Sequence, residues 1–575
     1  MARFNLLDEP WIRVMVTKTG ETEEVSLLEL FQHAPEYADL AGEMKTQDFA
    51  VLRTLLAVLH TVFSRFDAQG RPYEWVQLDE SYRQVEDVDE DDVEDYAVDL
   101  MQTWQELWQA GTFPPIVMEY LEKWRDRFYL LDDKHPFYQV LQEDIAPDRL
   151  KSGQAGKFWG KNINRTISES GNKEALFSSV GNIGKKDNKN ILSAPEIVRW
   201  VIMFHGYTGA GEKIKFRLCP SGVKASNGWL YDLGGLYAGG RNLFETLLLN
   251  LVLVPEVDAY IGAVQRPAWE SDSAALLTSY FALRPLDNMA EIYTRWSRAI
   301  YINPEHELTS PFYCELVKLP EVNHSNQFLE PMTLWKFDEK GENKNTFLPR
   351  KHRLHQSLWR SFGLIGSFDA EATGRAPGIY QWLNQIGDVI GNYQLRFIAV
   401  GMESDGNPMS RLLVNEIVDA FSVHDSILFD TGDAGWARRI EDAVEVTKQV
   451  VEKTYGMFVK DVLDLRNIAD TGKRRTEYLE QLYFSIDAPF KEWLATLQPH
   501  DDKEVRIAEW YAVLKQIVRR QADDIVRESG MQEYKGRVVN ERFQNIMTAY
   551  NSFRYFLDLK LPTKEEETHA EWRSE

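Results

Sequence analysis

Apolar residues recur at helical spacing in two parts of the chain and lose all periodicity in a third. From Thr46, an expected N-cap, the series Phe49, Leu52, Leu55, Leu56 and Leu59 marks one face of a helix. Four longer amphipathic stretches follow late in the chain, at about 434–464, 473–497, 502–529 and 540–558, with Leu479, Leu482, Tyr483, Phe490 and Trp493 as an example of their stripe. Gly472 and Pro499 punctuate them, and short links between such helices predict an up-down four-helix bundle. Upstream, short strands alternate with helices. Residues 4–14 read as a strand with a proline-marked turn, 195–206 as a helix, and 396–400 with 412–417 as the strands of a hairpin. Between residues 151 and 190 Gly, Ser, Asn and Lys dominate, which predicts a long surface loop. The expected fold class is α+β: a large mixed α/β domain over residues 1–430, an all-α four-helix bundle over 431–565 and a charged tail over 566–575.

Length agrees with more than one domain, since 575 residues exceed what one core holds, roughly 250–300. The most apolar run, 247–255, is about half of a membrane span, and the first residues lack the apolar stretch of a signal peptide. Cys219 and Cys314 are the only cysteines, too few for a disulfide framework or a cysteine-rich zinc site. A cytoplasmic chain with no membrane, metal or cofactor is expected.

A net charge of −24 argues against nucleic acid until its distribution is considered. Residues 1–100 hold 23 Asp/Glu against 8 Lys/Arg, whereas residues 151–225 hold 13 Lys/Arg against 5 Asp/Glu. Such an island can create a local positive field, and it can equally be a solvated lysine-rich loop. Composition leaves both readings open.

Enzyme signatures are missing: the chain has no Walker loop, no HExxH and no GxSxG elbow. Asp132-Asp133 before His135-Pro136 reads as a turn, and His352 with His355 as a solvated or phosphate-facing helix start among Arg350, Lys351 and Arg353. No catalytic residue is assigned. Gly209-Ala210-Gly211 ends a helix, follows the basic stretch and precedes Lys213, Lys215 and Arg217. Glycines there allow the backbone to approach a groove or phosphate that a Cβ would block. Residues 401–409 form a hairpin loop in which Asn407, Pro408 and Met409 could also make a wedge between base pairs.

The chain resembles the large subunit of the type I-E CRISPR Cascade, the CasA family. The resemblance rests on the ordered segments Phe4-Asn5-Leu6-Leu7-Asp8-Glu9-Pro10-Trp11-Ile12-Arg13-Val14, Val25-Ser26-Leu27-Leu28-Glu29-Leu30-Phe31 and Thr46-Gln47-Asp48-Phe49-Ala50-Val51-Leu52-Arg53. Asp133-Lys134-His135-Pro136-Phe137 and Glu330-Pro331-Met332-Thr333-Leu334-Trp335 continue it. It implies a non-catalytic subunit of an RNA-guided antiviral complex that holds the 5′ handle of the CRISPR RNA beside other Cascade subunits. It further implies reading of the protospacer-adjacent motif (PAM) on double-stranded target DNA, help in strand separation, and recruitment of the helicase-nuclease. The family's glycine loop falls at Gly209, Ala210 and Gly211, and its wedge at Asn407, Pro408 and Met409, with Pro408 where glutamine is expected. Its flexible loop falls at Phe177, Lys185, Lys186 and Lys189, and Lys318 is the nearest match to its lysine finger. The zinc site of some members cannot be built from two distant cysteines. Two other readings stand beside this one: a purely structural scaffold subunit, and a metal-dependent nuclease with dispersed carboxylates.

Overall fold

The computed structural model describes residues 2–163, 190–209, 214–220, 222–223, 227–341, 343–366, 374–406, 413–468, 470–539 and 541–562. The chain divides into two compact units. The first comprises Met1–Leu354, Ala372–Ile390 and Phe397–Asp419, and the second His355–Glu371, Gly391–Arg396 and Ala420–Glu575. No helix among the described residues is long and apolar enough to cross a membrane.

The first unit is mixed helix and strand, built around the helix Lys45–Phe63, in which every residue from Thr46 to Phe63 is buried. A helix buried all round cannot leave its polar groups to water, so each needs a partner. Arg53 donates through Nη1 and Nη2 to the two carboxylate oxygens of Glu330, at 2.8 and 2.7 Å. Arg65 does the same with Glu270, at 2.7 and 3.0 Å, and Tyr120 adds a hydroxyl to Glu270 at 2.7 Å.

The helix begins differently from expectation. Met44 occupies the N-cap position without a side-chain bond, and Thr46 lies inside the helix. The Thr46 amide and hydroxyl both donate to Glu416, each at 2.7 Å. A carboxylate from a distant strand takes the capping role and meets the positive end of the helix dipole.

Asp48, in the first turn, accepts from the Gly42 amide at 2.7 Å and lies 3.1 Å from Lys45. Burial pushes its carboxyl up to about 6, although Lys45 and the Gly42 amide pull the other way. A carboxyl raised in the fold binds its proton more tightly folded than unfolded. Its stabilising contribution is therefore present below the unfolded value of about 4 and is lost as the pH rises through about 6. Asp48→Asn keeps an acceptor for Gly42, while Lys45 retains Asp39 at 3.0 Å. Thermal melts should show the wild type losing stability relative to this variant between about pH 4 and pH 6; parallel curves would contradict the assignment.

Two sheets carry or flank residues singled out from the sequence. In one, Gly156–Trp159 and Arg298–Tyr301 flank Tyr313–Lys318, both antiparallel to it. Residues 156–163 thus carry a strand and the short helix Gly160–Ile163 inside the stretch expected to be loop. Pairing to a buried central strand overrides weak local periodicity. The other sheet has the order Leu413–His424, Gln394–Ser404, Gly235–Gly239.

In the second unit, long helices run over Trp436–Gln449, Gly456–Leu465, Thr471–Thr496, Lys503–Arg527 and Ile546–Lys560. The first two are joined by a π-helical segment, Val450–Tyr455. Arg475 donates to the backbone carbonyls of Glu452 and Gly456 there, satisfying groups that an α-helix would pair internally. A Cβ at Gly456 would crowd the Arg475 guanidinium. Trp510 donates to Thr447 at 3.0 Å, Phe490 packs edge-on to Trp510 at 4.9 Å, and Phe458 lies 5.1 Å from Phe553.

Two sequence expectations change. Gly472 is not a breaker but the second residue of Thr471–Thr496, whose N-terminus is capped by Asp470 accepting from the Lys473 amide. The last helix begins at Ile546 rather than near 540, because Arg537–Val539 and Arg542–Gln544 form a small antiparallel hairpin.

Candidate nucleic-acid interface

The site grows from the end of one helix. Ser193 caps Ala194–Tyr207 in a capping box: the Glu196 amide donates to the Ser193 hydroxyl, and Glu196 accepts from the Ser193 amide at 2.9 Å. The helix closes at Thr208, whose amide donates to the Phe204 carbonyl at 3.0 Å and whose hydroxyl bonds the same oxygen. Gly228 then docks against the turn, its amide donating to the Thr208 carbonyl at 2.8 Å. Only glycine fits, because a Cβ at 228 would lie 2.1 Å from the Gly206 carbonyl oxygen.

Beneath the turn sits Arg298, fully buried on the strand Arg298–Tyr301. Its Nη2 donates to the Gly209 carbonyl at 2.6 Å and its Nη1 to the Ser297 carbonyl at 2.8 Å. His205 stacks on Trp296 with ring centres 5.9 Å apart and donates Nε2–H to the Tyr138 carbonyl at 3.0 Å. Burial, with Arg298 nearby, brings the His205 imidazole down to about 4, so it is neutral near pH 7 and adds no charge.

Lys318 ends the neighbouring strand and stands directly opposite Arg298 in the ladder. Its amide donates to the Ile214 carbonyl at 3.1 Å, and Lys215 forms a parallel bridge with it. The following residues are strapped down as well: the Lys151 amide donates to the Lys215 carbonyl at 3.0 Å, and the Arg217 amide to the Arg149 carbonyl at 2.8 Å. On the same sheet the Lys157 ammonium lies 4.7 Å from the Tyr313 ring, and Trp159, 38% exposed, packs on Tyr313 at 5.2 Å.

Of the residues expected from sequence, the structure brings Gly209 and Lys318 together through Arg298. Ala210 and Gly211 lie outside the described residues, as do Asn407, Pro408 and Met409, and Phe177, Lys185, Lys186 and Lys189. The strands on either side of the expected wedge, anticipated over 396–400 and 412–417, run over Gln394–Ser404 and Leu413–His424. Asp132 accepts from the His135 amide at 2.7 Å, the anticipated turn. His352 is in no helix; its ring bonds the Gly235 carbonyl at 2.8 Å, and burial lowers its pKa. Several basic residues of the second unit are committed within it: Arg474 to Glu477 at 2.8 Å, Arg519 to Asp558 at 3.1 Å, and Arg439 to Glu504. Arg298 and Gly228 were not singled out from sequence. The one available signal was a cation opening an otherwise apolar strand.

A family model described as CRISPR-associated protein Cse1 matches residues 5–521. The chain belongs to the Cse1 family, the CasA family of type I-E Cascade large subunits. A curated relative, CRISPR-associated protein CasA/Cse1 of Thermus thermophilus, is 27% identical over 372 residues, 64% of this chain and 60% of the relative, so the alignment spans under two thirds of that protein. The Cse1 crystal structure from Thermobifida fusca matches with a TM-score of 0.75 at 25% identity, covering 98% of each chain. A chain of a CRISPR RNA-guided surveillance complex shares the fold, with a TM-score of 0.62 at 14% identity over 97% of this chain and all of that one.

Proposed function

We propose that this chain is the non-catalytic large subunit of a type I-E Cascade and reads the PAM of double-stranded target DNA. The reading is carried by one observation: in a chain matched by the Cse1 model, Gly209 and Lys318 converge on a single buried arginine. A carbonyl oxygen at the turn would repel phosphate, and Arg298 neutralises it while placing a positive charge beneath the backbone. Gly209, Ala210 and Gly211 then meet the minor groove, Lys318 reaches it from the adjacent strand, and Asn407, Pro408 and Met409 form the wedge that starts strand separation. In RNA-guided systems base pairing reads the target and protein reads only the short motif.

In this reading residues 1–430 carry the DNA-facing elements, the helices of 431–565 act as a four-helix bundle, and 566–575 is a charged tail. The partners are the other Cascade subunits, the 5′ handle of the CRISPR RNA, duplex DNA and a helicase-nuclease recruited in the cytoplasm. Phe177, Lys185, Lys186 and Lys189 supply contact with the handle and affinity for phosphate.

The charge-supplying part is tested by replacing Lys185 and Lys186 with alanine in the assembled complex. Affinity should fall about equally for every target duplex, and the slope of log K against log salt should shrink by about 0.9 for each phosphate no longer neutralised. An unchanged slope, or a loss confined to particular motifs, would remove these lysines from phosphate binding. Incubating the isolated chain with DNA or RNA and Mg²⁺ should give no turnover; robust cleavage would replace this reading with that of a nuclease.

A further inference from the structure

A cleft in the first unit opens where residues 134–139 meet the start of the helix Ser273–Ala282. Arg127, Lys134 and His135 line one side, and Trp269, Ser271 and Ser273 line the other. Gln139 and Trp296 complete the lining and are only 1% and 4% exposed. The cleft measures about 330 Å³ out to its open mouth, and its enclosed part has room for roughly two waters. No Asp or Glu is among the described residues that line it.

The charges at the mouth favour an anion. Lys134 is exposed, and its ammonium has no partner among the described residues. Arg127 Nη1 bonds His135 Nδ1 at 2.9 Å and Asp272 Oδ1 at 2.7 Å. Arginine only donates, so Nδ1 accepts and the imidazole proton lies on Nε2, where it can donate in turn. Asp272 is the N-cap residue of Ser273–Ala282, yet its side chain caps no amide and turns to Arg127 instead. The first turn of that helix contains no acidic residue, so its positive end keeps its attraction for an anion. Asp272 itself is 62% exposed, and a surface ion pair of this kind exchanges readily.

An independent observation comes from the buried part of the lining. Trp296 Nε1 and Gln139 Oε1 are both buried without a hydrogen-bond partner. Gln139 Nε2 donates to the carbonyls of Leu130 and Phe137, at 2.7 and 3.1 Å, which fixes the amide with its oxygen unpaired. Two neighbours in the same lining are paired. Trp269 donates to the Tyr120 hydroxyl at 2.8 Å, and Ser273 to the buried carboxylate of Asp144 at 2.5 Å. Buried polar groups nearly always find partners, so a donor and an acceptor left over in one cationic cleft call for a ligand that offers both.

We infer that this cleft binds inorganic phosphate. Near neutral pH, phosphate keeps a proton on one oxygen, which suits the Gln139 amide oxygen. Its other oxygens accept from Trp296 Nε1–H, Lys134 and His135 Nε2–H. Sulfate and phosphodiesters carry no such proton, and a phosphate monoester, with a second pKa of about 6, has mostly lost it. Each of these would set an anionic oxygen against the Gln139 carbonyl.

Calorimetric titration of the full chain at about 0.15 M salt tests the assignment. Inorganic phosphate should bind with a Kd of about 1 mM or tighter, and sulfate roughly tenfold more weakly. Lys134→Met should weaken phosphate binding roughly tenfold. Trp296→Phe keeps a ring against His205 but removes the donor, and should cost a similar factor. Phosphate should also raise the melting temperature of the wild type more than that of Lys134→Met.

Absence of both binding heat and melting shift at roughly ten times that concentration would overturn the inference and leave the two buried atoms to water. Equal affinity for sulfate would overturn the choice of phosphate. Displacement of phosphate by a lower concentration of an oligonucleotide lacking terminal phosphates would reassign the cleft to nucleic acid. If Trp296→Phe fails to fold, the exposed Lys134→Met decides alone, and undiminished phosphate binding in it would place the ion elsewhere.

Discussion

Glu330→Ala should lower the unfolding free energy of the chain by roughly 3–5 kcal/mol, the usual cost of leaving one member of a buried ion pair without its partner. Glu330 and Arg53 are 0% and 1% exposed. Besides the fork from Arg53, the carboxylate accepts from Trp229 Nε1 at 2.6 Å and from the Met332 amide at 3.0 Å, so four donors lose their acceptor at once. The Arg53 guanidinium would remain in the core with the rings of Tyr293, 4.2 Å away, and Phe49, 5.7 Å away, in place of a counter-charge. Burial alone would raise the Glu330 carboxyl, but Arg53, Trp229 and the Met332 amide together hold it below the ordinary carboxylate range. The stability it contributes is therefore fully present near neutral pH and is lost as pH falls below the unfolded value of about 4.3. Denaturant melts check both points. The double change Arg53→Met with Glu330→Gln should recover part of the loss, since it removes the orphaned charge. A Glu330→Ala loss under about 1 kcal/mol would mean that water or rearrangement compensates the arginine.

Gly209→Asp should abolish motif-dependent DNA binding by the assembled complex while leaving the melt of the chain near the wild-type value. Specific protein–DNA binding commonly exceeds non-specific binding by a thousandfold or more, and that ratio is what should collapse. Two effects act together. A side chain fills the space through which the backbone would approach the groove, and a carboxylate is placed against phosphate. Non-specific binding should fall much less, because it draws on lysines elsewhere in the chain. Competition binding at fixed salt separates the two. Retained discrimination would move the reader away from residue 209.

Much of this was legible in the chain itself, and the rest fails for identifiable reasons. Three of the late helices follow from periodicity, since burial of one stripe repeats every three to four residues; Lys45–Phe63 was legible from the spacing of its largest apolar residues, although the structure buries it on every side. Thr46 misled because capping rules assume a helix end that meets water, whereas this one meets Glu416. Residues 540–545 misled because Val538 and Phe543 face each other across a hairpin, and two strands of three residues each leave almost no periodic signal. The segments containing Arg53 and Glu330 were recognisable as family motifs. What spacing could not reveal is that these two residues, 277 positions apart, form one ion pair. Arg298 was hidden in the same way, 89 residues from the carbonyl it holds. Lys318 and Gly209 were picked on separate grounds, and their meeting at one arginine is a property of the fold.

The most direct test of the proposed role is the affinity of the assembled complex for guide-matched duplexes that vary only in the flanking motif, measured at one salt concentration with and without this chain. The expected result is a spread of at least roughly a hundredfold across motifs with the chain present, and none without it. A spread that persists when the chain is left out, or an even affinity across motifs when it is present, would contradict the role.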